Sequence, residues 1–142
     1  MNHNIFLGGG NLILMPATTI TTAVTGLTTT AELNLAGMTS LAVFSKLTYG
    51  SGGTTAKIWV QTSFDQGTTW VDIVSHAFAT ATLSRLSTVV LTSAANITMT
   101  DGTLADNTVL NGVLGDRLRV KYTTTGTYAG STSLKVWAVA KN

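Results

Sequence analysis

Residues 56–78 limit the possible folds more than any other stretch, because their polarity alternates on both sides of a short connection. The first part reads AKIWVQTSF and the returning part reads TWVDIVSHAF. The connection contains Asp65 and Gly67, two residue types that favour turns. Period-two alternation around such a connection is typical of an antiparallel β-hairpin. The pattern predicts that Ile58, Val60 and Phe64 lie on one face of the strand, with Trp59, Gln61 and Ser63 on the other.

The connection, SFDQGTTW, fits S-x-D-x-G-x-T-W, which is the pattern of the Asp-box on the hairpins of sialidase-type propellers. A propeller needs about four or more blades and would repeat the motif, whereas these 142 residues contain one copy. We therefore interpret the motif as structural. Asp65 is expected to accept hydrogen bonds from the turn, Gly67 to adopt a positive φ and Trp70 to pack across the hairpin base. The motif residues are Ser63, Asp65, Gly67, Thr69 and Trp70.

The composition favours strands throughout the chain. About a fifth of the residues are threonine, 44% are hydrophobic and 10% are charged, and threonine and valine fit a pleated surface well. No stretch has sustained helical periodicity. We predict a single all-β domain, an antiparallel β-sandwich of jelly-roll-like type, over residues 17–142, preceded by an extended N-terminal arm over residues 1–16. A surface so poor in charge also suggests a homo-oligomer or a protein covered by neighbours.

The pattern also predicts the structure of the remaining segments. Two threonine-rich strands are predicted around Thr25–Gly26, and residues 83–92 form another strand. Residues 93–112 are irregular and predict a long connection. Residues 116–126 and 132–142 alternate in polarity and predict a closing hairpin. A strand over residues 40–48 is predicted to place Leu41, Val43 and Leu47 on one face and Ala42, Phe44 and Lys46 on the other.

Several kinds of chemistry are disfavoured by the residues present. The chain has no cysteine, so disulfides and thiolate sites are excluded. His3 and His76 are far apart in sequence and lack the clustered partners that a metal site or nucleophile needs, so both are interpreted as incidental. Asp65 and Asp72 could form the carboxylate pair of a glycosidase, but Asp65 is already assigned to a turn.

Three carboxylates in irregular segments raise the question of calcium. Asp101, Asp106 and Asp116 could supply oxygen ligands, but their spacing does not match an EF-hand loop and turn chemistry explains them equally well. We predict no cofactor and no metal. The net charge of +2 is too small to indicate nucleic acid, and the apolar runs are too short for a membrane helix.

Two sets of residues are candidate partner contacts. The first is the basic stripe, which consists of Arg117, Arg119 and Lys121 on one side of a strand, with Lys135 on the expected partner strand. It is either a solvated face or a docking surface for an acidic partner. The second is a set of apolar anchors in the arm that are expected to pack against a neighbouring subunit: Phe6, Leu12, Ile13 and Leu14.

The order of the segments resembles a family of virion proteins. LNLAGMTSLAVFSKL, KIWVQTSFDQGTTWVDI, GDRLRVKYTTTG and LKVWAVAKN, spread over residues 33–141, look like the small β-sandwich structural proteins of tailed bacteriophages. The resemblance implies a non-enzymatic virion component that assembles in the host cytoplasm, with the major capsid protein or other virion proteins as partners. It does not separate head from tail or baseplate.

Three functions therefore remain open at this point. The first is a structural virion protein, with a capsid decoration or cement subunit preferred over a tail, baseplate or fibre component. The second is a carbohydrate-binding module that uses exposed tryptophans, with Trp59, Trp70 and Trp137 as candidates. The third is a hydrolase, for which the sequence offers no assembled site.

Overall fold

The structure is a computed structural model that describes residues 10–29, 34–35, 37–92 and 96–141. The backbone of these ranges forms β-strands that we number in chain order. They are β1 (Gly10–Thr19), β2 (Val24–Thr28), β3 (Ser40–Thr48), β4 (Ser51–Gly52), β5 (Thr55–Ser63), β6 (Val71–Phe78), β7 (Leu83–Val90), β8 (Arg117–Thr125), β9 (Tyr128–Ala129) and β10 (Ser133–Lys141). Among the described residues, no helix is long and apolar enough to span a membrane.

The strands form two four-stranded antiparallel sheets that pack face to face. The first sheet has the order β1-β10-β3-β7 and the second has the order β2-β8-β5-β6, while β4 and β9 make a small separate pair. This architecture confirms the predicted all-β sandwich. The core lies between the sheets, where side chains from alternate positions of each strand are buried.

The alternation predicted for β3 is present in the structure. Leu41, Val43 and Leu47 are buried, while Phe44 and Lys46 lie on the outer side and are partly exposed. Strands β8 and β10 alternate in the same way. The period of two therefore decides which side chains enter the core, because successive residues of a strand point to opposite faces.

The central hairpin differs from its prediction because both of its faces are buried. β5 and β6 pair along their length, with a bulge between Val60 and Gln61, yet Trp59 and Gln61 on the outer side are buried as well as Val60 on the inner side. Phe64 lies beyond the end of β5 and is exposed. The outer side is buried because residues 96–116, which we call the covering loop, lie across it and bond to Trp59 and Asp72.

The predicted closing hairpin is also different in the structure. Strands β8 and β10 belong to opposite sheets, because the segment around β9 carries the chain from the second sheet to the first. Period-two alternation gives the inward positions of each strand but does not give its partner. Lys135 on β10 is therefore in a different sheet from Arg117, Arg119 and Lys121 on β8.

The N-terminal part of the described chain belongs to the sandwich. Residues 10–16, which were assigned to the arm, lie in β1 and pair with β10, while residues 1–9 are outside the described residues. Thr25–Gly26 lies inside β2 and not in a turn; Gly26 has a φ of 60° where the pairing with β8 shifts register. A glycine in a strand often marks such a bulge.

Candidate functional site

The turn between β5 and β6 is built by the residues of the S-x-D-x-G-x-T-W motif. Asp65 Oδ1 accepts hydrogen bonds from the backbone N–H of Thr69 at 2.7 Å and from the Ser63 hydroxyl at 3.0 Å. The Ser63 Oγ in turn accepts from the N–H of Gly67, whose φ is 95°. The indole N–H of Trp70 donates to the Gly67 carbonyl at 3.0 Å. Each motif residue therefore contributes to closing the turn.

These contacts also set the protonation of Asp65. The hydrogen bonds from the backbone and side chain of Thr69 favour the carboxylate and hold the pKa of Asp65 below its ordinary value, with a smaller contribution from Ser63. A carboxylate that is ionised and bound to its own turn is a poor general acid.

Asp72 organises the covering loop. Its carboxylate is fully buried and accepts hydrogen bonds from the backbone N–H groups of Gly102, Thr103 and Leu104 at 2.8 to 3.1 Å. Three successive N–H groups that converge on one carboxylate form an anion-binding nest. The nest closes on the chain's own side chain, so Asp72 does not pair with Asp65 as a glycosidase would require.

Two side chains complete the shell around the Asp72 carboxylate. The Thr100 hydroxyl donates to Oδ2 and the Gln61 amide donates to Oδ1, each at 2.8 Å. The same amide nitrogen also reaches Asp101 Oδ1 at 2.6 Å, and Gln61 Oε1 accepts from Arg119 Nε at 2.7 Å. Gln61 therefore links the buried carboxylate to the charged residues of β8.

The basic stripe is part of this network. Lys121 Nζ lies 2.8 Å from Asp101 Oδ1, and Arg119 lies 3.9 Å from the same oxygen. The side chains of Arg119 and Lys121 are 18% and 20% exposed. Arg119 also stacks over the Trp70 ring, 4.3 Å from its centroid. Part of the charge that was expected to face a partner is therefore neutralised and covered within the chain.

The neighbouring groups of this network lower the pKa of Asp101. Burial raises this pKa, but the hydrogen bonds from Lys121 and Gln61 and the charges of Lys121 and Arg119 outweigh it, so the pKa lies below its ordinary value. A cleft of about 510 Å³ lies beside the network, lined in part by Trp70, Met99 and Arg119.

Asp101 and Asp106 of the covering loop are paired with lysines and do not come together as metal ligands. Asp106 pairs with Lys57 at 3.1 Å, whereas Asp101 pairs with Lys121. In the described ranges, no three His, Asp or Glu side chains come together in a group that could hold a metal ion.

His76 lies between the two sheets. Its Nδ1 is 2.5 Å from the Ser45 hydroxyl on β3, and its Nε2 is 2.7 Å from the Ser87 hydroxyl on β7. Burial lowers the pKa of His76 to about 4, with a further contribution from the charge of Arg85. The neutral imidazole therefore bridges the sheets. His3 lies outside the described residues.

The tryptophans are placed differently from what a glycan platform requires. Trp59 and Trp70 are each 7% exposed, and the Trp59 indole N–H donates to the Leu104 carbonyl at 3.0 Å. Trp137 is partly exposed on the outer face of the first sheet. Of the three candidates, Trp137 is the most exposed.

The apolar anchors of the predicted arm are also placed differently. Leu12 and Leu14 are buried in the core of this chain, because they point inward from β1, and so they are not available to a neighbouring subunit. Ile13, between them, is 57% exposed. Phe6 lies outside the described residues.

A surface that the sequence pattern did not reveal lies on the outer face of the first sheet. We call this surface the exposed face. The strand register places one apolar side chain from each strand side by side across the sheet. We call these four residues the apolar row; they are Ile13, Trp137, Phe44 and Leu86. Leu86 is 69% exposed, and the Phe44 and Trp137 rings stack at a centroid distance of 5.3 Å.

Lysines lie on both sides of the apolar row. On one side, Lys135 and Lys46 are directly opposite each other in register, and Lys141 lies on the other side beyond Val139 and Ala42. Lys135 Nζ is 3.9 Å from the centroid of the Trp137 ring. Strands β1, β3, β7 and β10 carry no aspartate or glutamate. The exposed face is therefore apolar and positively charged.

The comparisons with known proteins do not assign this chain to a family. No protein-family profile and no curated protein sequence match this chain. Among solved structures, it is similar to a chain from the structure of infectious bursal disease virus, Gx strain, at 15% identity and a TM-score of 0.43, over 94% of this chain and 32% of that chain. The chain thus spans about a third of that viral chain.

It is also similar to a family 11 carbohydrate-binding module from Clostridium thermocellum, solved in complex with a β-1,3-1,4-mixed-linked tetrasaccharide. That similarity has 11% identity and a TM-score of 0.30, and covers 97% of this chain and 88% of the module. At these identities and TM-scores, neither similarity assigns a function to the chain.

Proposed function

We propose that this chain is a non-enzymatic structural protein of a phage virion, and specifically a decoration or cement subunit that binds the head and stabilises it through contacts with the major capsid protein. The observation that carries the proposal is the exposed face of the first sheet. There, the side chains at the two ends of the apolar row, Ile13 and Leu86, are 57% and 69% exposed. Contiguous apolar patches on soluble proteins often mark interaction surfaces.

The ionisable groups of the second sheet support a structural role. Asp72 binds its own backbone nest, Asp65 closes a turn and Asp101 neutralises Lys121. His76 bridges two serine hydroxyls inside the sandwich. These groups are committed to holding the fold, and a catalytic acid or base would have to be free to exchange a proton with a substrate.

Carbohydrate binding is the second candidate, and Trp137 is the observation that favours it. Its ring is partly exposed, but Lys135 lies over it at 3.9 Å and Phe44 stacks on it. Sugar rings bind to an open aromatic face, and here the ring is already in contact with both neighbours. We therefore rank this function second.

The proposed function is tested by locating the protein in purified particles. We expect mass spectrometry of separated heads and tails to find the chain in heads, at a fixed ratio to the major capsid protein. Presence only in tails would make it a tail or baseplate component. Absence from both fractions, together with specific signals on a glycan array, would contradict the proposal and favour the carbohydrate-binding alternative.

A further inference from the structure

We infer that the exposed face binds a protein surface that presents an apolar strip flanked by carboxylates. This inference deepens the proposed function, on which it rests, by naming the chemistry of the partner. It starts from the strand register, which fixes the positions of the apolar row and of the three lysines beside it.

The dimensions of the face follow from sheet geometry. Neighbouring strands are about 4.8 Å apart, so a row of four side chains spans roughly 14 Å. Successive outward positions of one strand are about 7 Å apart, which places Lys46 and Lys135 next to the row on one side. Lys141 lies two outward positions away on the other side, beyond Val139. A matching partner therefore carries an apolar strip roughly 14 Å long, with acidic groups along both of its sides.

The position of Lys135 requires a polar partner as well as an apolar one. Its ammonium group lies over the Trp137 ring at 3.9 Å, so any surface that covers the ring also removes water from the ammonium. A desolvated charge is stable only when it is paired. A carboxylate beside the apolar strip supplies that pairing.

The lysine pair points to the same conclusion. Lys46 and Lys135 are directly opposite each other on neighbouring strands, an arrangement in which like charges repel. No acidic residue occurs on the four strands of this sheet to offset the repulsion. Carboxylates on a partner would offset it.

Charge also argues against a second copy of this chain as the occupant. A two-fold contact between two exposed faces uses the same surface twice, so it would bring the lysines of both copies into one interface to which the four strands contribute no carboxylate. Like-charge contacts of this kind suppress association. The partner is therefore a different surface, acidic where this one is basic.

Two pairs of variants test the inference, using particles that lack this protein and purified protein added back. Ile13→Ser combined with Leu86→Ser removes the exposed ends of the apolar row, and Phe64→Ser is the matched control, since Phe64 is 57% exposed but lies at the other sheet. Lys46→Gln removes a flanking charge, and Lys57→Gln is its control because Lys57 pairs with Asp106. We expect the row variant to lose at least tenfold in binding, Lys46→Gln to lose severalfold and both controls to bind normally.

Zero-length carbodiimide cross-linking identifies the partner groups directly, because it joins a lysine amine to an adjacent carboxylate as an amide. We expect Lys46, Lys135 or Lys141 to be joined to Asp or Glu residues of a different virion protein. The Lys121–Asp101 and Lys57–Asp106 pairs, at 2.8 and 3.1 Å, are internal positive controls.

The possible outcomes separate the two proposals. If the wild-type protein binds and the row and Lys46 variants bind equally well, the inference is overturned and the virion function stands. Cross-links from these lysines only to other copies of this chain also overturn it. So does a loss of binding in the Phe64→Ser or Lys57→Gln control when the row variant and Lys46→Gln bind normally. If the wild-type protein does not bind particles at all, the proposed function fails and the inference fails with it.

Discussion

The outer faces of the two sheets differ in how much the chain itself covers them. On the second sheet, the covering loop lies over Trp59, Gln61 and Asp72 and buries them. The Asp72 carboxylate binds the backbone N–H groups of this loop, and Asp101 and Asp106 form ion pairs with lysines of the sheet. On the first sheet, Ile13 and Leu86 remain exposed in a row with two partly exposed aromatic rings.

This difference is the basis for proposing that a partner binds at the first sheet and not at the second. An antiparallel sheet can face water on one side when that side is polar. The second sheet is polar on its outer side and the chain still covers it, whereas the first sheet is apolar along its row and is left open. The covered face adds hydrogen bonds and ion pairs to a sandwich whose core lies between the sheets, and we propose that the open face serves in assembly.

The largest expected effect comes from removing the anchor of the covered face. Asp72→Ala should destabilise the domain by about 3–5 kcal/mol, because it leaves the N–H groups of Gly102, Thr103 and Leu104 without their acceptor. Urea unfolding measures the loss, and hydrogen exchange should show faster exchange at these three amides. Asp106→Asn is the control, and should cost no more than about 1 kcal/mol since its ion pair is exposed. Equal losses in both variants would mean that the nest does not hold the loop.

The pH dependence of stability tests the bridge between the two sheets. The folded pKa of His76 is about 4, below the ordinary value of 6.5, so the unfolded chain takes up a proton first as the pH falls. His76 should therefore cause stability to decrease from about pH 6.5 down to about pH 4, by up to roughly 3 kcal/mol. Asp65 and Asp101, whose pKa values are lowered, lose their contributions at still lower pH.

The matched variant for this pH effect is His76→Gln, which does not titrate. Its unfolding free energy should be lower than that of the wild type at pH 7 but nearly flat between pH 6.5 and pH 4. A wild-type profile that is itself flat in this window would show that His76 does not stay neutral in the folded protein.

The turn beside the covered face gives a smaller effect. Gly67→Val should destabilise the domain by roughly 1–3 kcal/mol, because Gly67 has a φ of 95° that a β-branched residue adopts only with strain. Thr68→Val, at an exposed neighbouring position, should change stability by less than about 0.5 kcal/mol. Thermal unfolding of the two variants side by side distinguishes backbone strain from a general sensitivity of the turn.

The smallest effect on stability is expected on the exposed face. Leu86→Ser should change the free energy of unfolding by less than about 0.5 kcal/mol, because Leu86 is 69% exposed. Its effect should appear in assembly, where binding to particles decreases. A large loss of stability would mean that this part of the face is packed in the free protein.

The sequence was sufficient for the fold class and for the inward positions of several strands. Period-two alternation in β3 correctly separates Leu41 and Val43 from Phe44 and Lys46, because the pleat leaves only two sides. In β5 the alternation is also present, but it does not reveal that Trp59 and Gln61 are buried on the side opposite Val60. The covering loop, which is distant in sequence, buries these two residues. The local alternation contains no information about that loop.

The candidate site was harder to predict because it depends on which strands are neighbours. The stripe residues Arg119 and Lys121 share a side as expected, but Lys135 is on the other sheet because the chain crosses over at β9. The sequence pattern did not reveal the apolar row for the same reason, because it does not show which strands are neighbours. Phe44 and Trp137 are each visible as outward residues of their strands, but their contact depends on a β3–β10 register that the sequence pattern does not specify.

The central claim is that the first sheet attaches this protein to a virion through its exposed face. A reconstruction of the particle by electron cryomicroscopy tests it most directly. We predict that Ile13, Trp137, Phe44 and Leu86 lie against a different virion protein, with carboxylates of that protein beside Lys46 or Lys135. A reconstruction in which these residues face solvent, and the covering loop of the second sheet makes the contact, would contradict the account.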